Sequence, residues 1–197
     1  MNYIENLIVR IPAFASQKEA IEAAVDAICE MYRNGGKILL AGNGGSAADC
    51  EHISGELLKG FLKKRPYPGE NPALVKLQQG IAAIPLPSLS SSVTAFMNDV
   101  APSLVFAQLV GVLGQEKDVF FGISTSGNSK NIIAAVETAK ARGLKTVALT
   151  GKSGGAVAKL CDIAICVPED ETYLIQELHL PVYHAICAEC EERIFEV

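Results

Sequence analysis

Apolar residues recur every three or four positions between Lys18 and Arg33, where Ile21, Ala24, Val25, Ile28 and Met31 share a face and Asn34-Gly35-Gly36 closes the run. This is the pattern and stop signal of an amphipathic helix. An apolar stretch, Lys37 to Ala41, follows at once and ends in Gly42-Asn43-Gly44-Gly45-Ser46. The alternation then repeats. It predicts helices over Ala47–Leu62, Pro102–Leu113, Lys130–Arg142, Ala156–Leu160 and Tyr173–Phe195, and strands over Ile81–Leu86, Val119–Ile123, Thr146–Leu149 and Ile163–Val167. Residues 63–79 are polar and carry Pro66, Pro68, Gly69 and Pro72, so they read as a surface loop with at most one helical turn at Ala73–Gln78.

Strands that are apolar throughout, separated by helices, predict a parallel sheet covered on both faces. The expected fold is therefore α/β, a three-layer sandwich of the doubly wound kind. Ligands of such sheets sit beyond the carboxyl ends of the strands, which directs attention to the loops at 42–46, 87–94, 124–129 and 150–155.

The length of 197 residues, with 49% hydrophobic and 20% charged positions, fits one domain over 1–197. Net charge is −5, and the basic residues are scattered apart from Lys63-Lys64-Arg65, which argues against a nucleic-acid surface. The first twenty residues carry Glu5 and lack the layout of a signal peptide, and no run is long and apolar enough for a bilayer span. A cytoplasmic protein without membrane contact is expected. Six cysteines fall mostly in apolar stretches and read as reduced core residues. Cys187-x-x-Cys190 lies within a helical pattern without a second such pair, and reads the same way.

Ser124-Thr125-Ser126-Gly127-Asn128-Ser129 leaves a strand and opens a helix. Hydroxyls together with the free N–H groups of a first helical turn suit a phosphate, and one helix cap would not need so many polar residues. The first glycine loop matches G-x-G-x-x-A through Gly42, Gly44 and Ala47, but the acidic ribose-binding residue of a dinucleotide site is missing after the next strand, so no nucleotide cofactor is expected. Gly151-Lys152-Ser153 mimics the tail of a nucleotide P-loop, yet Thr146 stands where its first glycine belongs. His52 and Glu56, four residues apart, share a helix face. On the last helix Gln176 and Glu177 each lie within ~80° of His184, whereas His179 points about 140° away from it. Pro181 should kink that helix.

Taken together, the first glycine loop followed by Asp49, His52 and Glu56, the 124–129 loop, Leu149-Thr150-Gly151-Lys152, and Gln176-Glu177 with His184 resemble the sugar isomerase (SIS) family. The resemblance implies a five-stranded flavodoxin-like sheet. It also implies a homotetramer, with the N-terminal helices (about 1–33) and the C-terminal helix (about 173–195) in oligomer contacts. The expected activity is aldose–ketose isomerisation of a sugar phosphate, sedoheptulose 7-phosphate to D-glycero-D-manno-heptose 7-phosphate. Carried over by position, Asn43, Gly44, Ser46, Ser124, Thr125, Ser126, Ser129 and Gln176 would contact the substrate, and Glu56 and His184 would be the acid/base pair. In members that hold zinc the ligands match His52, Glu56, Gln176 and His184. Zinc and direct proton transfer would use the same Glu and His. Two departures touch the sugar end: Leu89 stands where the family has an Asp, and 63–79 is long. The alternative is a non-catalytic phosphosugar-binding regulator or adaptor.

Overall fold

The short apolar runs pair edge to edge because each is apolar on both faces, and such strands are stable only between two covering layers. A computed structural model describes residues 2–195, so Met1, Glu196 and Val197, the outermost residues of the span 1–197, lie outside it. The strands are β1 Ile38–Ala41, β2 Ala83–Pro85, β3 Val119–Ser124, β4 Lys145–Thr150 and β5 Ile163–Cys166. All pair in parallel in the order β2-β1-β3-β4-β5, the flavodoxin-like order. The helices are α1 Tyr3–Arg10, α2 Lys18–Arg33, α3 Gly45–Leu57, α4 Ser90–Asp99, α5 Val105–Leu113, α6 Lys130–Ala141, α7 Gly155–Leu160 and α8 Thr172–Ile194.

Alternate strand residues feed two cores. Ile38 and Leu40 of β1, with Val119, Phe121, Val147 and Ile165, meet α1, α2, α3 and α8. Leu39 and Ala41, with Phe120 and Ala148, meet α5, α6 and α7. α3 and α6, which follow the neighbouring strands β1 and β3, thus lie on opposite faces of the sheet. Their starts flank the switch point at which ligands of doubly wound sheets lie.

Several sequence boundaries move. Residues 87–94, expected as a site loop, wind at Ser90 into α4, a helix with no buried residue. β2 is shorter than Ile81–Leu86, and α3 stops at Leu57 rather than Leu62. The early stop has a visible cause: the Glu191 carboxylate of α8 accepts the backbone N–H groups of Phe61, Leu62 and Lys63 at 2.7–3.0 Å. Within 63–79, residues 72–76 form turns and Pro66 bridges Gln78. Pro181 lies inside α8, which continues across it as one helix. All six cysteines are free, and Cys187 and Cys190 are buried.

Candidate functional site

The glycines of the first loop are there for close approach. A Cβ on Gly42 would lie 2.5 Å from the Ser46 carbonyl oxygen, and one on Gly45 would lie 2.5 Å from Gln176 Nε2. The missing side chains let α3 turn immediately beneath β1 and let α8 press against its start. Ser46, in the first turn of α3, is buried; Asn43 and Gly44 are exposed at the loop tip.

The second loop is built like an anion seat. Ser124 Oγ and Ser129 Oγ are 3.0 Å apart. Ser129 holds the position that caps α6, but no side chain caps the helix, leaving first-turn N–H groups available to an anion. Thr125 is half-buried and Ser126 exposed beside them. Asn128 serves the loop itself: its Nδ2 donates to the Ser126 carbonyl at 2.9 Å and its Oδ1 accepts from Ala156 N at 3.1 Å. Gly127, at φ +64°, could not carry a side chain, because a Cβ there would lie 2.1 Å from the Gly154 carbonyl oxygen. Val157 N donates to the Gly127 carbonyl at 2.9 Å, and Gly151 N to that of Thr125 at 2.9 Å. The 124–129 and 150–155 loops are thereby locked together.

Further along α3, side chains from two helices converge. His52 Nε2 lies 3.3 Å from Glu56 Oε1 and 3.4 Å from His184 Nε2 of α8. Lys59 Nζ pairs with Glu56 Oε2 at 3.2 Å, and the Phe61 ring stands 5.5 Å from that of His184. Burial, and then the neighbouring His52, hold His184 below the usual imidazole pKa of 6.5, so it is predominantly neutral at pH 7 and able to accept a proton. Tyr183 touches His52 Nδ1 at 2.9 Å and Asp49 Oδ1 at 3.3 Å. Asp49 Oδ2 is buried without a partner, and burial raises the carboxyl above 3.8.

The structure therefore brings His52, Glu56 and His184 together. It does not bring Gln176 to them: its amide lies against Gly45, seven residues and about 10 Å along α3 from His52. Glu177 is exposed, and His179 is fully buried on another side of α8. Tyr183 and Asn131 carry polar contacts here that the sequence reading missed; a buried tyrosine within an apolar run and an asparagine beyond a serine loop give no pattern to detect. Among the described residues no group of three or more His, Cys, Asp or Glu side chains is placed so as to hold a metal ion. The 3.3 and 3.4 Å separations from His52 Nε2 nevertheless match the roughly 3.3 Å edges of a tetrahedron with zinc–ligand bonds of about 2.0–2.1 Å. Imidazole and carboxylate donors suit that metal.

A serine-lined turn at a doubly wound sheet's carboxyl edge, with a histidine–carboxylate cluster beyond it, places the chain among phosphosugar-handling α/β domains. The SIS domain family model matches residues 2–151, and the chain belongs to this family. It is similar to the phosphoheptose isomerase of Aneurinibacillus thermoaerophilus, with 46% identity over 175 residues, covering 89% of this chain and 82% of that one. It is also similar to the phosphoheptose isomerase of Helicobacter pylori strain P12, with 39% identity, covering 98% and 97%. The solved structure of a phosphoheptose isomerase from Francisella tularensis superimposes with a TM-score of 0.81 at 34% identity, covering 96% and 95%.

Proposed function

We propose that this chain is a phosphosugar aldose–ketose isomerase that interconverts sedoheptulose 7-phosphate and D-glycero-D-manno-heptose 7-phosphate. The observation that carries the reading is the meeting of His52 and Glu56 from α3 with His184 from α8, at 3.3 and 3.4 Å, beyond a hydroxyl-lined loop. A regulator that only senses the phosphate would need the serine loops and not this cluster.

Ser46, Ser124, Thr125, Ser126 and Ser129, with the open first turn of α6, hold the phosphate. Asn43, Gly44 and Gln176 line the sugar. Binding energy gathered at the phosphate then orients the reacting end. The Glu56 carboxylate takes the proton from the carbon beside the carbonyl and returns it to the neighbouring carbon. His184 moves the oxygen-bound proton through the enediol. Each positioned group contributes about 10²–10⁴-fold. His52, Glu56 and His184 are the residues that would hold zinc, with Gln176 set apart from them against Gly45. When bound, the ion supplies polarisation of the carbonyl and hydroxyl oxygens.

The exposed apolar side chains Met97, Val100, Leu104 and Val112 on and beside α4 and α5 support assembly with further copies of the chain, as a homotetramer. Val9 of α1 and Tyr173 and Leu180 of α8 are exposed as well, so the N-terminal and C-terminal helices also offer apolar surface to such contacts. Free cysteines throughout fit a reducing compartment, the cytoplasm. No helix is long and apolar enough to cross a membrane among the described residues. The test is NMR observation of the protein with sedoheptulose 7-phosphate, with and without a chelator. Growth of aldose anomeric signals is expected, and their absence under both conditions overturns the reading.

A further inference from the structure

One pair of side chains joins the loop after β1 to the start of α6 after β3. Asn43 Nδ2 donates to Asn131 Oδ1 at 3.0 Å, and Asn131 Nδ2 donates to Asn43 Oδ1 at 2.8 Å. In the order β2-β1-β3-β4-β5 the chain leaves β1 and β3 toward opposite faces, and such a switch point is where ligands of doubly wound sheets lie.

Reciprocal pairing uses one N–H and one carbonyl lone pair of each amide and leaves one of each free. An unpaired asparagine on an exposed loop turns about a broad, two-fold χ2 and offers its nitrogen and oxygen in either order. The pairing removes that freedom at Asn43. Asn131 stands two residues beyond Ser129, in the first turn of α6. The helix start whose N–H groups face the phosphate thus also fixes an amide on the loop after β1.

We propose that Asn131 is a positioning residue: it locks the Asn43 amide so that its nitrogen and oxygen face the sugar hydroxyls in one fixed order, in register with the phosphate seat. The inference deepens the isomerase reading and rests on it through the sugar contact of Asn43.

A double-mutant cycle tests it. Asn43→Ala and Asn131→Ala are each expected to lower kcat/KM for sedoheptulose 7-phosphate about tenfold or more, while the double variant falls no further than the weaker single one. Inhibition by inorganic phosphate stays within about twofold in all three, because the phosphate seat is untouched. Additive losses, full activity of Asn131→Ala, or a parallel loss of phosphate affinity overturns the proposal. A second readout does not depend on turnover. The Asn43 side-chain NH₂ resonance, identified by its loss in Asn43→Ala, is expected to shift in Asn131→Ala, and an unmoved resonance overturns the proposal. Absence of wild-type turnover, with the resonance shifting, overturns the isomerase reading alone.

Discussion

The Tyr183 hydroxyl sits 2.9 Å from His52 Nδ1 and 3.3 Å from Asp49 Oδ1. It donates to the Asp49 carboxylate and meets His52 Nδ1, which fixes the imidazole ring with Nε2 turned toward Glu56 and His184. Burial and the Asp49 charge raise the Tyr183 pKa further, which keeps the hydroxyl protonated across the working range. Outer partners of this kind are worth about 10–100-fold. Tyr183→Phe should lower kcat by that factor, with an unchanged circular dichroism spectrum; wild-type kinetics would exclude the role.

Glu56→Gln keeps the shape of the side chain and removes the base. Turnover should drop by about 10²–10⁴-fold, while competitive inhibition by inorganic phosphate is retained. A variant that keeps its rate excludes Glu56 as the proton carrier.

His179 offers a pH signature in stability. It is fully buried and both ring nitrogens lack partners; burial pushes its pKa down to about 4. The unfolded chain takes up the proton near 6.5 and the folded one only near 4, so stability is complete above pH 6.5 and declines as pH falls toward 4, by up to about 3 kcal/mol. His179→Leu should flatten that decline and, having no orphaned nitrogen, match or exceed wild type at pH 7.5. Urea midpoints at pH 7.5 and 4.5 decide it.

Arg65 is nearly inaccessible. Its Nε lies 3.0 Å from Glu191 Oε1, its guanidinium covers the Phe195 ring at 4.5 Å, and its Nη2 donates to the Glu56 carbonyl at 3.3 Å. The Nε–H is not aimed at the carboxylate and Nη1 has no partner, so charge attraction holds the pair. Glu191→Ala would strand that charge together with three backbone N–H groups, at a cost of about 3–5 kcal/mol, or roughly 10 °C in Tm for a chain of this size. Replacing Arg65 by Met in the same chain should recover part of the loss.

Val100 and Val112 are 63% and 68% exposed. If this face joins copies of the chain, Val100→Glu should reduce the mass measured by light scattering and leave the circular dichroism spectrum intact; an unchanged mass places the contact elsewhere.

The strands and most helices were legible because their burial is periodic along the chain: Ile38, Leu39 and Leu40 announce a strand covered on both sides. α4 was readable too, since Val93, Phe96, Met97 and Val100 fall at helical spacing, but its serine-rich start masked the stripe. Helical angles separated His179 from His184 correctly, and the two do face different surroundings. The same arithmetic grouped Gln176 with His184, yet eight residues of rise set them against different turns of α3. Arg65 sits in the only basic run and reads as surface; its partner Glu191 is 126 positions away, and pairs at that range leave no local trace. Tyr183 is likewise hidden, because what distinguishes it from a core aromatic is a hydroxyl meeting two residues of another helix.

At Gly127 even one methyl group would overlap the carbonyl of Gly154. The turns following β3 and β4 therefore share a single backbone joint, and neither can loosen without the other. The conformational entropy of shaping the proposed phosphate cradle is spent when the chain folds, so that an anion bound there would meet donors already at rest. Alanine at this one position would turn a rigid receptor into one that each ligand must first organise.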